Sequence, residues 1–139
     1  MWEFWNEQYL GANKDSFTAM LPPRCARLYR LCKQWAHPWL LSTDMHALQG
    51  QVEILDCSWD EKTRTLSGKA FRPKGEVGNL FVLVPVGLRL ADPKGLWIAK
   101  DAREGVLIVR RELRFHGKPQ SWEMRFEPII RGDLARSQG

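Results

Sequence analysis

Histidine and cysteine are the side chains best suited to metal or nucleophilic chemistry, and this 139-residue chain holds three of each. His37, His46 and His116 lie far apart, and none forms H-x-x-x-H. Cys25, Cys32 and Cys57 make no C-x-x-C, and with the histidines they match no zinc spacing. G-x-S-x-G, P-loop and G-x-G-x-x-G signatures are absent. The two glycines of GEVGNL precede a strand pattern, whereas phosphate cradles open a helix, so this stretch reads as a turn. Asp56, Asp60 and Glu61 cluster as the carboxylates of a glycosidase would. Their setting in a short run of Asp, Glu, Lys and Thr is that of a solvated turn. No catalytic constellation, metal or cofactor is expected from this chain by itself.

Binding is the other chemistry to weigh, because sugars stack on flat aromatic faces and the chain has seven tryptophans. Trp2, Trp5, Trp35, Trp39, Trp97 and Trp122 lie in apolar or alternating stretches, where core packing is the default. Trp59 stands just before the DEKT stretch and is expected at the surface. In WAHPW, Trp35 and Trp39 flank His37 and Pro38 between predicted strands, either as a packed linker or as a platform. The candidate carbohydrate-binding residues are therefore Trp35, Trp39 and Trp59. Bases would stack on the same rings, but no basic stripe accompanies them, which disfavours a nucleic-acid partner. Such a partner would show itself by a steep loss of affinity with salt.

The elements that position these residues are almost all strands. A Pro-Pro pair precedes Arg27 to Lys33, which suits a strand. Gln51 to Trp59 and Arg64 to Phe71 flank DEKT as a hairpin. Asn79 to Val86 (NLFVLVPV) is a continuous apolar run between glycines. Its length and valines predict a strand buried on both faces, with Pro85 at its end or at a bulge. Leu96 to Ala99 is a shorter candidate, and only Asp15 to Leu21 and Leu40 to Leu48 suit a turn or two of helix. The pattern predicts an all-β, antiparallel β-sandwich, Greek-key or jelly-roll-like, with little helix.

Charge alternation predicts a last hairpin. Leu107, Val109, Leu113 and Phe115 share one face of GVLIVRRELRF, while Trp122, Met124 and Phe126 alternate with charges in SWEMRFE. Pairing Phe115 with Trp122 across HGKPQS sets Arg114 against Glu123, Glu112 against Arg125, and Arg110 against Glu127. Each such pair contributes roughly 0.2–1 kcal/mol. Arg111 falls on the apolar face, which calls for a sheet edge or a buried carboxylate.

Composition sets the outer bounds. An apolar fraction of 44% supports a core and argues against disorder. There is no run of 18 apolar residues and no signal-peptide pattern, so no membrane association is expected. Three cysteines cannot all pair; they read as reduced, mostly buried thiols of a cytoplasmic protein. The net charge of +5 is spread without any block of five like charges, as on a solvated surface.

Three stretches, EFWNEQYLG, DSFTAMLPPRCARLYRL and HPWLLSTDMHALQGQVEILDCSWDEKTRTLSG, together resemble the C-terminal all-β region of bacterial α-galactosidase-like glycoside hydrolases. The likeness covers residues 2–70 best and departs from the family pattern at Cys25 and Met45. It implies a non-catalytic accessory domain that supports a sugar-processing enzyme, because the catalytic carboxylates of that family lie on a TIM barrel. Residues 1–36 would be N-terminal strands like the end of the glycosidase β-domain, 37–131 the β-sandwich, and 132–139 a frayed tail. The resemblance also implies that Met1 falls part-way into a domain. An unpaired edge beside Trp2, Phe4 and Trp5 would then favour a TIM-barrel partner or self-association through the first strand. The runner-up expectation is a stand-alone carbohydrate-binding module.

Overall fold

The computed structural model describes residues 1–45 and 52–130. They form an all-β structure of antiparallel sheets, without helix among the described residues. The strands are β1 (Trp2–Glu3), β2 (Gln8–Tyr9), β3 (Tyr29–Arg30), β4 (Trp39–Thr43), β5 (Ile54–Asp60), β6 (Thr65–Ala70), β7 (Val77–Val84), β8 (Leu88–Leu90), β9 (Trp97–Lys100), β10 (Leu107–Arg114) and β11 (Gln120–Pro128). Three sheets result, in the orders β2-β1-β3, β4-β7-β10-β9 and β5-β6-β11-β8. No described helix is long and apolar enough to cross a membrane.

The two larger sheets pack face to face. Leu80, Val82, Val109, Leu113 and Phe115 of one side meet Leu66, Trp122, Met124 and Phe126 of the other in a common core. The small sheet covers the outer face of β7 and β10. There Trp2 and Leu41 join Phe81, Leu83, Val106 and Ile108 in a second core. The Trp2 and Phe81 rings lie 4.7 Å apart at 38°. This layering explains why LFVLV is apolar at every position: Leu80 through Val84 are buried on both faces, as the sequence predicts. Pro85 follows the last paired residue, where a missing N–H costs no ladder bond.

Alternation along β10 and β11 assigns their inward faces correctly, but the predicted hairpin does not form. β10 pairs with β7 and β9, whereas β11 pairs with β6 and β8, so the connection crosses from one sheet to the facing one. Phe115 and Trp122 meet across the core rather than along a ladder. The outward charges accordingly find other partners. Glu127 takes Arg89 of β8 at 2.8 Å, Arg114 turns to Glu112 at 3.0 Å, and Arg110 lies over the Trp97 ring of β9. Arg111, on the core face of β10, reaches across the sandwich and donates to the backbone carbonyl of Glu123. Arg111 lies just past the end of the β9 pairing, where β10 has a free edge among the described residues, as one branch of its pattern suggests. Its acceptor is a backbone carbonyl rather than a carboxylate.

Other expectations are corrected as well. Residues 15–21 are irregular and exposed, and the stretch from Leu40 begins in strand β4; 46–48 lie outside the described residues. Of Arg27 to Lys33, only Tyr29–Arg30 is strand. Cys25 and Cys57 are exposed rather than buried, because Cys57 sits on edge strand β5 and Cys25 on the irregular segment before β3. Trp5 and Trp97 are 65% and 50% exposed, so the core default fails for them while it holds for Trp2 and Trp122. The β5–β6 hairpin forms as expected, with Trp59 opposite Leu66 and Asp60 opposite Thr65.

The first strand is paired on both sides, Trp2 with Tyr9 and Arg30, and Glu3 with Gln8 and Tyr29. Glu3 is fully buried. Its carboxylate accepts from the Trp5 N–H at 3.0 Å, the Asn6 N–H at 2.9 Å and the Asn6 side-chain amide, closing the turn to β2. Burial opposes ionisation, but these donors and the charge of Arg27 outweigh it and hold the carboxyl below its ordinary value. The stabilisation is therefore complete above the unfolded carboxyl value, roughly pH 4.3, and is lost as pH falls through the lower folded one. Glu3→Gln should lower the urea midpoint at pH 7, with the gap to the wild type closing towards pH 3. An equal gap at both pH values would show that the charge is not what holds the turn.

Candidate functional site

The segment that leaves β3 carries Trp35 and His37, and it bends at Ala36 and His37 before Trp39 opens β4. In the structure Trp35 and His37 stack at 5.4 Å and 24°. His37 in turn stacks on Trp59 of β5 at 5.3 Å and 5°. Phe126 supports the far end of this column, tilted against Trp59 at 6.0 Å. Of the three tryptophans singled out from the sequence, Trp35 and Trp59 thus join one column although they are far apart along the chain, while Trp39 packs against the second core. Residues of β4 and β5, edge strands of the two facing sheets, line one groove with the connection that carries Trp35 and His37.

Local hydrogen bonds fix the column. His37 Nδ1 is 2.7 Å from the Pro38 carbonyl. A carbonyl only accepts, so Nδ1 bears a proton and the neutral ring keeps Nε2 as an acceptor. The Trp59 indole donates to Glu61 at 2.5 Å, which gives the second DEKT carboxylate a structural task beside the ring that stacks on His37. Asp60 accepts from the Lys62 and Thr63 N–H groups at 2.9 and 3.2 Å and shapes the turn itself. The Trp39 indole N–H is buried and has no hydrogen-bond partner among the described residues.

Around the column opens a groove of about 850 Å³, lined by all three tryptophans and His37 together with Arg30, Lys33, Glu53 and Ser58. Its size falls within the range of small-ligand sites, roughly 300–1,000 Å³. Trp35 is 46% exposed, and the Lys33 ammonium sits 4.8 Å from the centre of its ring. Glu53 is engaged by the Thr43 hydroxyl at 3.1 Å. The arrangement offers aromatic faces with polar and charged groups at their rim, which can hold a flat, hydroxyl-rich ligand. Among the described residues, no group of three or more His, Cys, Asp or Glu side chains is placed to hold a metal ion. His46 lies outside the described residues.

Sequence reasoning missed His37 as the centre of the column, and it missed Arg30, Lys33 and Glu53 as rim residues. The alternation in WAHPW was the available signal for His37. The rim residues come from chain segments that the fold alone brings together. A scan against protein-family models returned no match, and searches of curated proteins and of solved structures returned none.

Proposed function

We propose that this chain is a non-catalytic accessory β-sandwich domain of a sugar-processing enzyme, and that it holds glycan in the groove of Trp35, Trp39 and Trp59. One observation carries the reading: three tryptophans from two distant segments line a single open groove with a polar rim. A sugar ring presents C–H faces to such aromatics and hydroxyls to the rim, and burial of both gives the affinity. The three thiols are unpaired, which suits a reducing, cytoplasmic setting.

A titration with neutral and acidic oligosaccharides, followed by tryptophan fluorescence, tests the groove. Trp35→Ala and Trp59→Ala should each weaken binding about tenfold, which corresponds to about 1.4 kcal/mol. Trp5→Ala, at a more exposed indole outside the groove, should leave affinity unchanged. If no glycan shifts the emission of the folded protein, the groove is not a sugar site.

A second reading rests on a separate feature. Residues 12–28 are exposed throughout, and Phe17, Met20, Leu21 and Leu28 are large apolar side chains on that segment, with Leu31 just beyond it. Apolar surface of this kind fits a domain that covers the flank of a catalytic partner such as a TIM barrel, or that meets a second copy.

A further inference from the structure

The charge around the groove is not balanced. Arg30 and Lys33 are exposed at its rim, and Glu53 is the one acidic side chain in its lining. The Glu53 carboxylate already accepts from Thr43. Neither Arg30 nor Lys33 makes an ion pair among the described residues. Lys33 lies over Trp35, and the Arg30 charge acts on the Cys57 thiol, which also lines the groove. The imbalance extends along the chain, where a basic stretch, not expected from the sequence pattern, precedes Trp35 and Trp39. Between positions 12 and 34 stand Lys14, Arg24, Arg27, Arg30 and Lys33 against Asp15 alone, so five cations less one anion leave +4 of the chain's net +5 in this segment. All six of these side chains are exposed.

We infer that the groove selects an anionic glycan, a uronate-containing oligosaccharide, over its neutral counterpart. This rests on the glycan-binding reading above. Aromatic faces bind acidic and neutral pyranose rings alike, so discrimination must come from the rim. A sugar carboxylate stacked near Trp35 meets the ammonium of Lys33, and a guanidinium at Arg30 can take a carboxylate through two parallel hydrogen bonds. Both cations are only partly desolvated there, so the preference is sensitive to salt.

The test compares matched pairs that differ only at C6: a glucuronate tetramer with the β-1,4-glucose tetramer, and a galacturonate oligomer with its carboxyl-reduced form. Polyglutamate of similar charge serves as a third probe. At low salt the uronate of at least one pair should bind about tenfold tighter than its neutral partner, with the ratio shrinking as salt is raised. The double variant R30Q/K33Q should bring uronate affinity down to that of the neutral oligomer. Lys118→Gln, outside the groove, controls for net charge and should retain the preference. Equal binding within each pair, or preference for the neutral form, overturns the inference while the glycan site stands. Binding of no oligomer overturns both. Polyglutamate binding as tight as uronate and indifferent to Trp59→Ala would reduce the rim to a general polyanion contact and overturn the inference.

Discussion

Phe81→Ala should destabilise the protein by about 3–5 kcal/mol, as large aromatic truncations in a closed core do. Phe81 is 2% exposed and lies in β7, a strand that contributes to both cores. Its ring faces Trp2, Leu41 and Ile108, so the truncation empties the layer between the small sheet and the sandwich. The loss is a large part of the 5–15 kcal/mol that ordinarily separates folded from unfolded domains. Urea unfolding measures it, and protease sensitivity locates it. The segment 1–36 should become cleavable at denaturant concentrations where the sandwich strands still resist. Uniform sensitivity along the chain would mean that the small sheet and the sandwich unfold as one unit.

The second large effect comes from the smallest residue. Gly68→Ala should cost about 3 kcal/mol, the upper end of overpacking penalties. Gly68 lies inside β6 between Cys57 and Trp122 in the ladder. A methyl group there would stand 2.3 Å from the Asp56 carbonyl oxygen and 2.9 Å from the Trp122 ring. The carbonyl belongs to the irregular register of β5, so relief requires movement of the backbone itself. Trp122→Phe, which shortens the ring, should recover part of the loss in the double variant, a coupling that a double-mutant cycle resolves. Wild-type stability of the single variant would contradict this packing outright.

The two strand pairs at issue also show what a sequence can reveal. β7 was legible because burial on both faces leaves no polar position, whatever the neighbouring strands are. The β5–β6 hairpin was legible because its turn is local. The partners of β10 and β11 were not, since alternation assigns a face without a neighbour. Opposite charges on consecutive strands suggested a ladder, yet Glu127 found Arg89 on a strand the pattern did not connect to it. Phe115 and Trp122 were both inward, as expected, but on facing sheets. The candidate site followed the same division. Trp35 and Trp39 were visible as a local cluster, while their meeting with Trp59 depends on which sheet edges coincide. His37 was read for metal chemistry, where isolated spacing argued against it, and its role as the centre of an aromatic column needs coordinates to be seen. Exposure of Trp97 has a similar origin: edge strand β9 leaves one ring face for Arg110 rather than for the core.

The crossing from β10 to β11 sets the order in which the chain can mature as it is synthesised. Each of these strands is an interior member of a different sheet, β10 between β7 and β9 and β11 between β6 and β8. Until residues 107–128 have left the ribosome, β7 lacks one neighbour, β6 lacks one neighbour, and the apolar faces of both look onto water. The β5–β6 hairpin closes early, on the timescale of microseconds once its residues are free. The rest of the architecture waits for a segment some distance downstream, and pairings of that separation form slowly. From the appearance of Val84 until residues 107–128 follow, the inner face of the run from Leu80 to Val84 therefore has no complete facing sheet to cover it. Over that interval it is transiently exposed apolar surface of the kind that favours aggregation.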